Sequence, residues 1–152
     1  YMPKHSEKKI VKFTSLQMFT LVADINNYHL FLPWCNSSKI IENTKSDDDI
    51  EYLIADLEIG YKNLVYTYRS EVILNHKNLS IDVTFVHGPF KHLENKWSFN
   101  ELNNNKCEID FSIDFELNVG VFNLLITRFF KQAFNKMVNS FEKRANQIYG
   151  SQ

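Results

Sequence analysis

Cysteine, proline and glycine are all scarce in this chain of 152 residues, at two, three and four copies respectively. Cys35 and Cys107 have no CxxC partner and no histidine at ligand spacing, which excludes a disulfide scaffold or zinc ribbon and points to a reduced, intracellular protein. The sequons at Asn36 and Asn78 are then coincidental. No linker, internal repeat or low-complexity segment divides the chain, so residues 2–150 read as one domain, long enough to bury roughly 70% of the surface its unfolded form exposes. Charge of one sign is missing too. Seventeen basic against 18 acidic residues leave a net charge of -1, which gives no electrostatic footprint for free DNA or RNA. No apolar run approaches the roughly 20 residues that span a bilayer, and the first residues hold no signal-peptide core. The expectation is a soluble or peripheral protein. Tyr1 ahead of Met2 reads as a vector remnant, with Met2 the natural start and no transit peptide.

Catalytic and metal-binding signatures are absent as well. The histidines at 5, 29, 76, 87 and 92 show no paired or ligand-like spacing, and no GxSxG elbow, phosphate loop or dinucleotide fingerprint occurs. Asp47-Asp48-Asp49 lacks the glycine and distal glutamate of a calcium loop and reads as a solvated turn. The sequence therefore gives no catalytic residues and no metal.

Aromatic residues are abundant: 13 Phe, seven Tyr and two Trp. They fall on clear periodicities. The pattern predicts a strand over His5 to Phe13, then a short helix capped by Ser15, with Leu16, Phe19, Val22 and Ala23 on its apolar face. Six strands follow, over Lys39 to Thr44, Ile50 to Ile59, Lys62 to Leu74, Ser80 to His87, Phe90 to Phe99 and Lys106 to Leu117. The last alternates perfectly from Cys107 to Leu117, so one face is buried and one is wet. A slip in apolar phase near Ala55 predicts a bulge there. From Val121 to Tyr149 the period becomes helical, with Phe130, Phe134, Met137, Phe141, Ala145 and Ile148 on one stripe of a helix about 40 Å long. The sum is an α+β fold in which an antiparallel sheet of six to seven strands curls around a long C-terminal helix.

Between the short helix and the strands lies Tyr28-His29-Leu30-Phe31-Leu32-Pro33-Trp34-Cys35, too short to hide its own apolar side chains. Such a segment plugs or borders a cavity, or touches a membrane or partner. Downstream, alternation puts Lys91 on one strand face with Leu93, Trp97 and Phe99, either snorkelling to solvent or meeting the polar head of a bound amphiphile; Arg69 poses the same choice.

Three stretches together resemble a known family. They are Phe19 to Cys35, Gly88-Pro89-Phe90-Lys91-His92-Leu93 through Trp97-Ser98-Phe99, and Lys136-Met137-Val138 with Phe141 to Ala145. The family is that of the coenzyme Q-binding Coq10-type and RatA-type proteins within the polyketide cyclase/dehydrase superfamily. The resemblance runs from about His5 to Tyr149 and departs at His29, where the family has proline. It implies a START-like helix-grip fold and a non-catalytic role, with ubiquinone as bound ligand and a membrane surface and respiratory complexes as partners. The implied place is the bacterial inner membrane or the matrix face of the mitochondrial one. The implied ligand wall comprises Leu57, Tyr66, Phe85, Phe90, Lys91, Trp97, Phe111 and Phe115 from the sheet and Phe130, Phe134, Met137 and Phe141 from the helix. Phe31, Leu32, Pro33 and Trp34 belong to the ligand site, and Leu30, Phe31, Leu32, Trp34, Leu124 and Leu125 to its mouth. The same resemblance carries an alternative, a toxin that binds the large ribosomal subunit through a patch such as Lys131, Lys136 and Lys143. Cyclase or dehydratase chemistry stands behind both, because no convergent acid–base pair is visible.

Overall fold

The computed structural model describes residues 4–118 and 124–150. Strand β1 (Lys4–Val11) leads into helix α1 (Ser15–Ala23) and a 3-10 segment (Ile25–Leu30). Then come β2 (Cys35–Lys45), β3 (Ile50–Tyr61), β4 (Leu64–Asn75), β5 (Ser80–His87), β6 (Phe90–Leu102) and β7 (Lys106–Leu117). Helices α2 (Leu124–Asn135) and α3 (Met137–Tyr149) complete the chain. The strands form one sheet in the order β1-β7-β6-β5-β4-β3-β2, and every neighbouring pair is antiparallel. Only β1 is out of sequence, because short hairpins join all the others. The result is a START-like helix-grip fold, a curved sheet closed over two C-terminal helices and α1.

Curvature comes from residues inserted on one strand of a pair. Asn36 and Ile41 on β2, Val86 on β5 and Lys91 on β6 each lie where the register with the neighbouring strand shifts. Such insertions bend a strand and sharpen its twist. The bulge expected at Ala55 thus belongs to the partner strand, where Ile41 is the extra residue opposite Ala55 and Ile54. Strand β3 itself is regular: Leu53, Ala55, Leu57 and Ile59 face inward throughout, while Tyr52 is exposed on the other face. The apparent slip in phase is two apolar faces of unequal length. Between β5 and β6, Gly88 adopts a φ of 148°, and a β-carbon there would crowd the Thr67 carbonyl and the Tyr68 α-carbon, so a side chain would strain this turn.

The inner face of the sheet meets the helices through aromatic rings. Phe111, Phe115, Phe130 and Phe141 are fully buried, each contributing roughly 1.5–3 kcal/mol by leaving water. The predicted single C-terminal helix is two, and its expected start at Val121 lies outside the described residues. At Lys136 the backbone leaves the helical region (φ -99°, ψ 7°), and its N–H is shared between the Gln132 and Ala133 carbonyls. The apolar stripe survives the break, since Phe134, Met137 and Phe141 remain three and four apart. Ile148 leaves that stripe and is exposed; Tyr149 takes its place, its ring 6.0 Å from Phe13 and its hydroxyl donating to the Gln17 carbonyl.

The cap of helix α1 lies one residue before the expected one. Thr14 is the N-cap: its hydroxyl accepts from the Gln17 N–H at 3.1 Å while the Gln17 side chain accepts from the Thr14 N–H at 2.9 Å. Ser15 instead donates its N–H and hydroxyl to the Glu101 carboxylate, pinning the helix to the end of β6. Leu16 points outward, and Met18, Phe19, Leu21 and Val22 fill the buried face. Thr14→Ala therefore lowers the urea midpoint, with the slope unchanged, by an amount equivalent to about 1 kcal/mol; an unaltered midpoint contradicts the capping role.

Candidate functional site

Where the sheet and helices fail to meet completely, they leave an apolar cavity of about 70 Å³. Ala55, Leu57, Val72, Ile81, Val83 and Trp97 form its sheet wall, and Phe134, Met137 and Phe141 form its helix wall. Tyr28 and Trp34 close the side nearest the 3-10 segment. Three polar side chains from the sheet, Tyr68, Ser70 and Asn95, share this lining. Asn95 is held at both ends, donating its amide to the Ser112 carbonyl at 2.9 Å and accepting from the Trp97 indole N–H at 3.0 Å. That arrangement fixes the Trp97 ring against Phe111 and Phe141, 4.6 and 5.2 Å away. Burial pushes the Tyr28 and Tyr68 phenols far above the usual range for tyrosine, so both are neutral hydrogen-bonding groups at neutral pH. Tyr28 donates its hydroxyl to the Val22 carbonyl, and the Ser70 hydroxyl supports the Tyr68 oxygen.

The residues expected from sequence divide into three groups. Leu57, Phe90, Trp97, Phe134, Met137, Phe141 and Trp34 line the cavity. Phe111, Phe115 and Phe130 are buried beside it but off its surface, and Tyr66 and Phe85 are half-buried outside the lining. Leu32 is a core residue at 1% exposure, Phe31 is half-buried 5.1 Å from the Phe141 ring, and Pro33 and Leu30 face outward. Lys91 is not in the wall. It is the inserted residue of the β6 bulge, so Phe90 and Leu93 both turn inward while Lys91 points to solvent, 4.0 Å from Glu116. Arg69 likewise faces outward, forking onto Asp56 with contacts of 2.8 and 2.9 Å. Tyr28 belongs to the segment expected to border a cavity and does line it, whereas sequence reading missed Tyr68, Ser70 and Asn95. The last two left a trace, as polar residues in otherwise apolar alternations on β4 and β6.

One end of the fold gathers exposed apolar groups. There the Gly60 N–H donates to the Trp34 carbonyl and the Asn118 N–H to the Pro89 carbonyl, both at 3.0 Å, which brings the β3–β4 and β5–β6 turns beside the start of β2 and the end of β7. Tyr61 of the hairpin contacts Phe129 of α2, with ring centroids 4.7 Å apart. Around them Leu64, Val65, Leu124 and Leu125 are 41, 52, 70 and 57% exposed. The predicted mouth residues of α2 thus stand at this end in solvent. No helix among the described residues is long and apolar enough to cross a membrane.

The pattern of the polyketide cyclase/dehydrase and lipid transport family matches residues 11–142. The chain belongs to that family. Among curated relatives, coenzyme Q-binding protein COQ10 homolog B, mitochondrial, of Xenopus laevis is 34% identical over 152 residues, covering 98% of this chain and 60% of the relative. The chain thus spans 60% of that relative's length. Ribosome association toxin RatA of Escherichia coli K12 is 33% identical over 150 residues, covering 99% of this chain and 91% of the toxin. Among solved structures, the Zhui aromatase/cyclase of Streptomyces sp. R1128 superposes with a TM-score of 0.79 over 99% of this chain and 98% of its own. At 14% identity that likeness concerns the fold alone. The curated relatives are thus named for coenzyme Q binding and for ribosome association.

Two thiols in this family member titrate late. Burial pushes both Cys35 and Cys107 up from 9.0 to about 11. Above pH 9 the unfolded chain releases these protons while the folded one keeps them, so the folded state binds more protons and stability falls as pH rises from 9 to 11. Urea unfolding across that window shows the fall, and replacing both cysteines with alanine delays its onset towards pH 10, where the tyrosines take over.

Proposed function

We propose that this protein holds a polyprenyl quinone, ubiquinone foremost, in the space between sheet and helices, and hands it over at a membrane surface. The observation that carries the reading is the cavity itself: an aromatic and aliphatic lining with Asn95, Ser70 and Tyr68 together on one wall, as a ligand with an apolar tail and a carbonyl-bearing head requires. Similarity to a relative named as a coenzyme Q-binding protein supports the choice of ligand. An isoprenoid chain in water costs about 25 cal/mol for each Å² of apolar surface, which is why a carrier is needed at all.

The resting cavity is too small for this cargo. A cavity of about 150 Å³ takes a benzene molecule, and this one is about 70 Å³. Loading therefore requires the wall to move, and the exposed apolar end around Leu64, Val65, Leu124 and Leu125 is the side that gains from contact with a bilayer when it does. Acid–base catalysis has little support here, because the described lining carries phenols but no carboxylate, imidazole, amine or thiol.

A second reading rests on RatA, whose length this chain nearly matches: ribosome association through the protein's surface. Organic extraction of protein purified from a quinone-producing host, followed by mass spectrometry, separates the two. Near-stoichiometric quinone is expected. Ala55→Leu, which fills the cavity without adding a polar group, is expected to fold with a melting temperature within a few degrees of the parent while retaining on the order of tenfold less quinone. Quinone absent from the parent, together with co-sedimentation with large ribosomal subunits at moderate salt, establishes the second reading instead.

A further inference from the structure

A second hollow lies outside the cavity, between the His29–Pro33 segment and α3, with a volume of about 490 Å³. Its described lining carries Lys143, Arg144 and His29 and no carboxylate. The neighbouring Glu142 points elsewhere, pairing with Lys9 at 2.6 Å. Lys143 has no ion-pair partner among the described residues. Arg144 has no ion pair among the described residues: its guanidinium lies 5.4 Å from the Phe31 ring and one terminal nitrogen donates to the neutral Gln147 side chain, while the Nε–H is buried without a partner, so it is the terminal N–H groups that are left for a ligand. A guanidinium held on an aromatic face with a donor left over is built for an anion.

The rim of the hollow decides which anion. Leu30 is 58% exposed and Pro33 also faces solvent, so apolar side chains flank the cations. This juxtaposition suits a lipid headgroup, with phosphate at the cations and acyl chain at the leucine. A phosphate backbone alone offers no counterpart for Leu30, and a net charge of -1 gives the chain no electrostatic footprint for nucleic acid.

We infer that this hollow binds the phosphate of an anionic phospholipid and seats the His29–Pro33 face of the protein on a membrane. The assignment extends the carrier reading but does not need a quinone. Phe31 joins the two sites, lying under Arg144 on one side and against the cavity residue Phe141 on the other.

Co-sedimentation of the quinone-free protein with phosphatidylcholine vesicles, with and without phosphatidylglycerol, tests it. Binding is expected only with phosphatidylglycerol, although the net charge of -1 gives no general attraction to anions. Lys143→Gln and Arg144→Gln are each expected to weaken it about fivefold, whereas Lys77→Gln on the β4–β5 turn leaves it unchanged. Lys143 is exposed, so its variant keeps the fold even if that of Arg144 does not. Equal binding to neutral vesicles, or no loss in Lys143→Gln, overturns the inference. So does full displacement by millimolar inorganic phosphate, which marks a soluble-anion site, or a loss in the variants of ribosomal RNA binding alone. Failure here with quinone retained leaves the carrier reading standing, and success without quinone separates them the other way.

Discussion

The contact on which the rest of the structure depends is the seat of Phe141. Fully buried on α3, its ring lies 5.2 Å from Tyr28, 5.1 Å from Phe31 and 5.2 Å from Trp97, each in an edge-to-face arrangement. One side chain thus joins the C-terminal helix, the 3-10 segment and the middle of the sheet. Edge-to-face pairs add about 0.5–1.5 kcal/mol beyond the area they bury, so this junction is a stabilising cluster that ties together elements distant in sequence. Trp97 is in turn fixed by Asn95, and Phe31 by Arg144.

The cavity is the space that these rings do not fill. It lies beside a cluster of aromatic contacts whose edge-to-face geometry is directional. The break at Lys136 falls in the helix wall next to Met137, which lines that space. A wall made of two short helices can shift one half without unseating the other. That is the physical link between the fold and a protein whose relatives are named for holding a quinone or for meeting a ribosome.

Much of this was visible in the residues. The unbroken alternation from Cys107 to Leu117 could only be a half-buried strand, and β7 is that strand. The three-and-four spacing from Phe130 to Ala145 gave the helix face, and the similarity in the Phe19 to Cys35 and Gly88 to Phe99 stretches gave the family. What alternation could not show was an inserted residue. Counting in twos from Trp97 puts Lys91 in the wall, and only the register of β6 against β7 reveals that Lys91 is extra and that Phe90 takes the inward place. The same blindness moved the bulge from Ile41 to Ala55, because a bulge is a property of a pair of strands. Thr14 was overlooked as a cap because the adjacent Ser15 is equally suitable by type. The volume of the cavity is a small difference between large packed volumes, and no pattern of residues encodes it.

The central claim is that the space between sheet and helices opens to admit a quinone. Both tryptophans, Trp34 and Trp97, line that space, so fluorescence titration with a short-tailed ubiquinone reads it directly. The account predicts saturable quenching at one quinone per chain, weakened on the order of tenfold when Ala55→Leu fills the cavity. Quenching that rises without saturation, or that is the same in the filled variant, would contradict it.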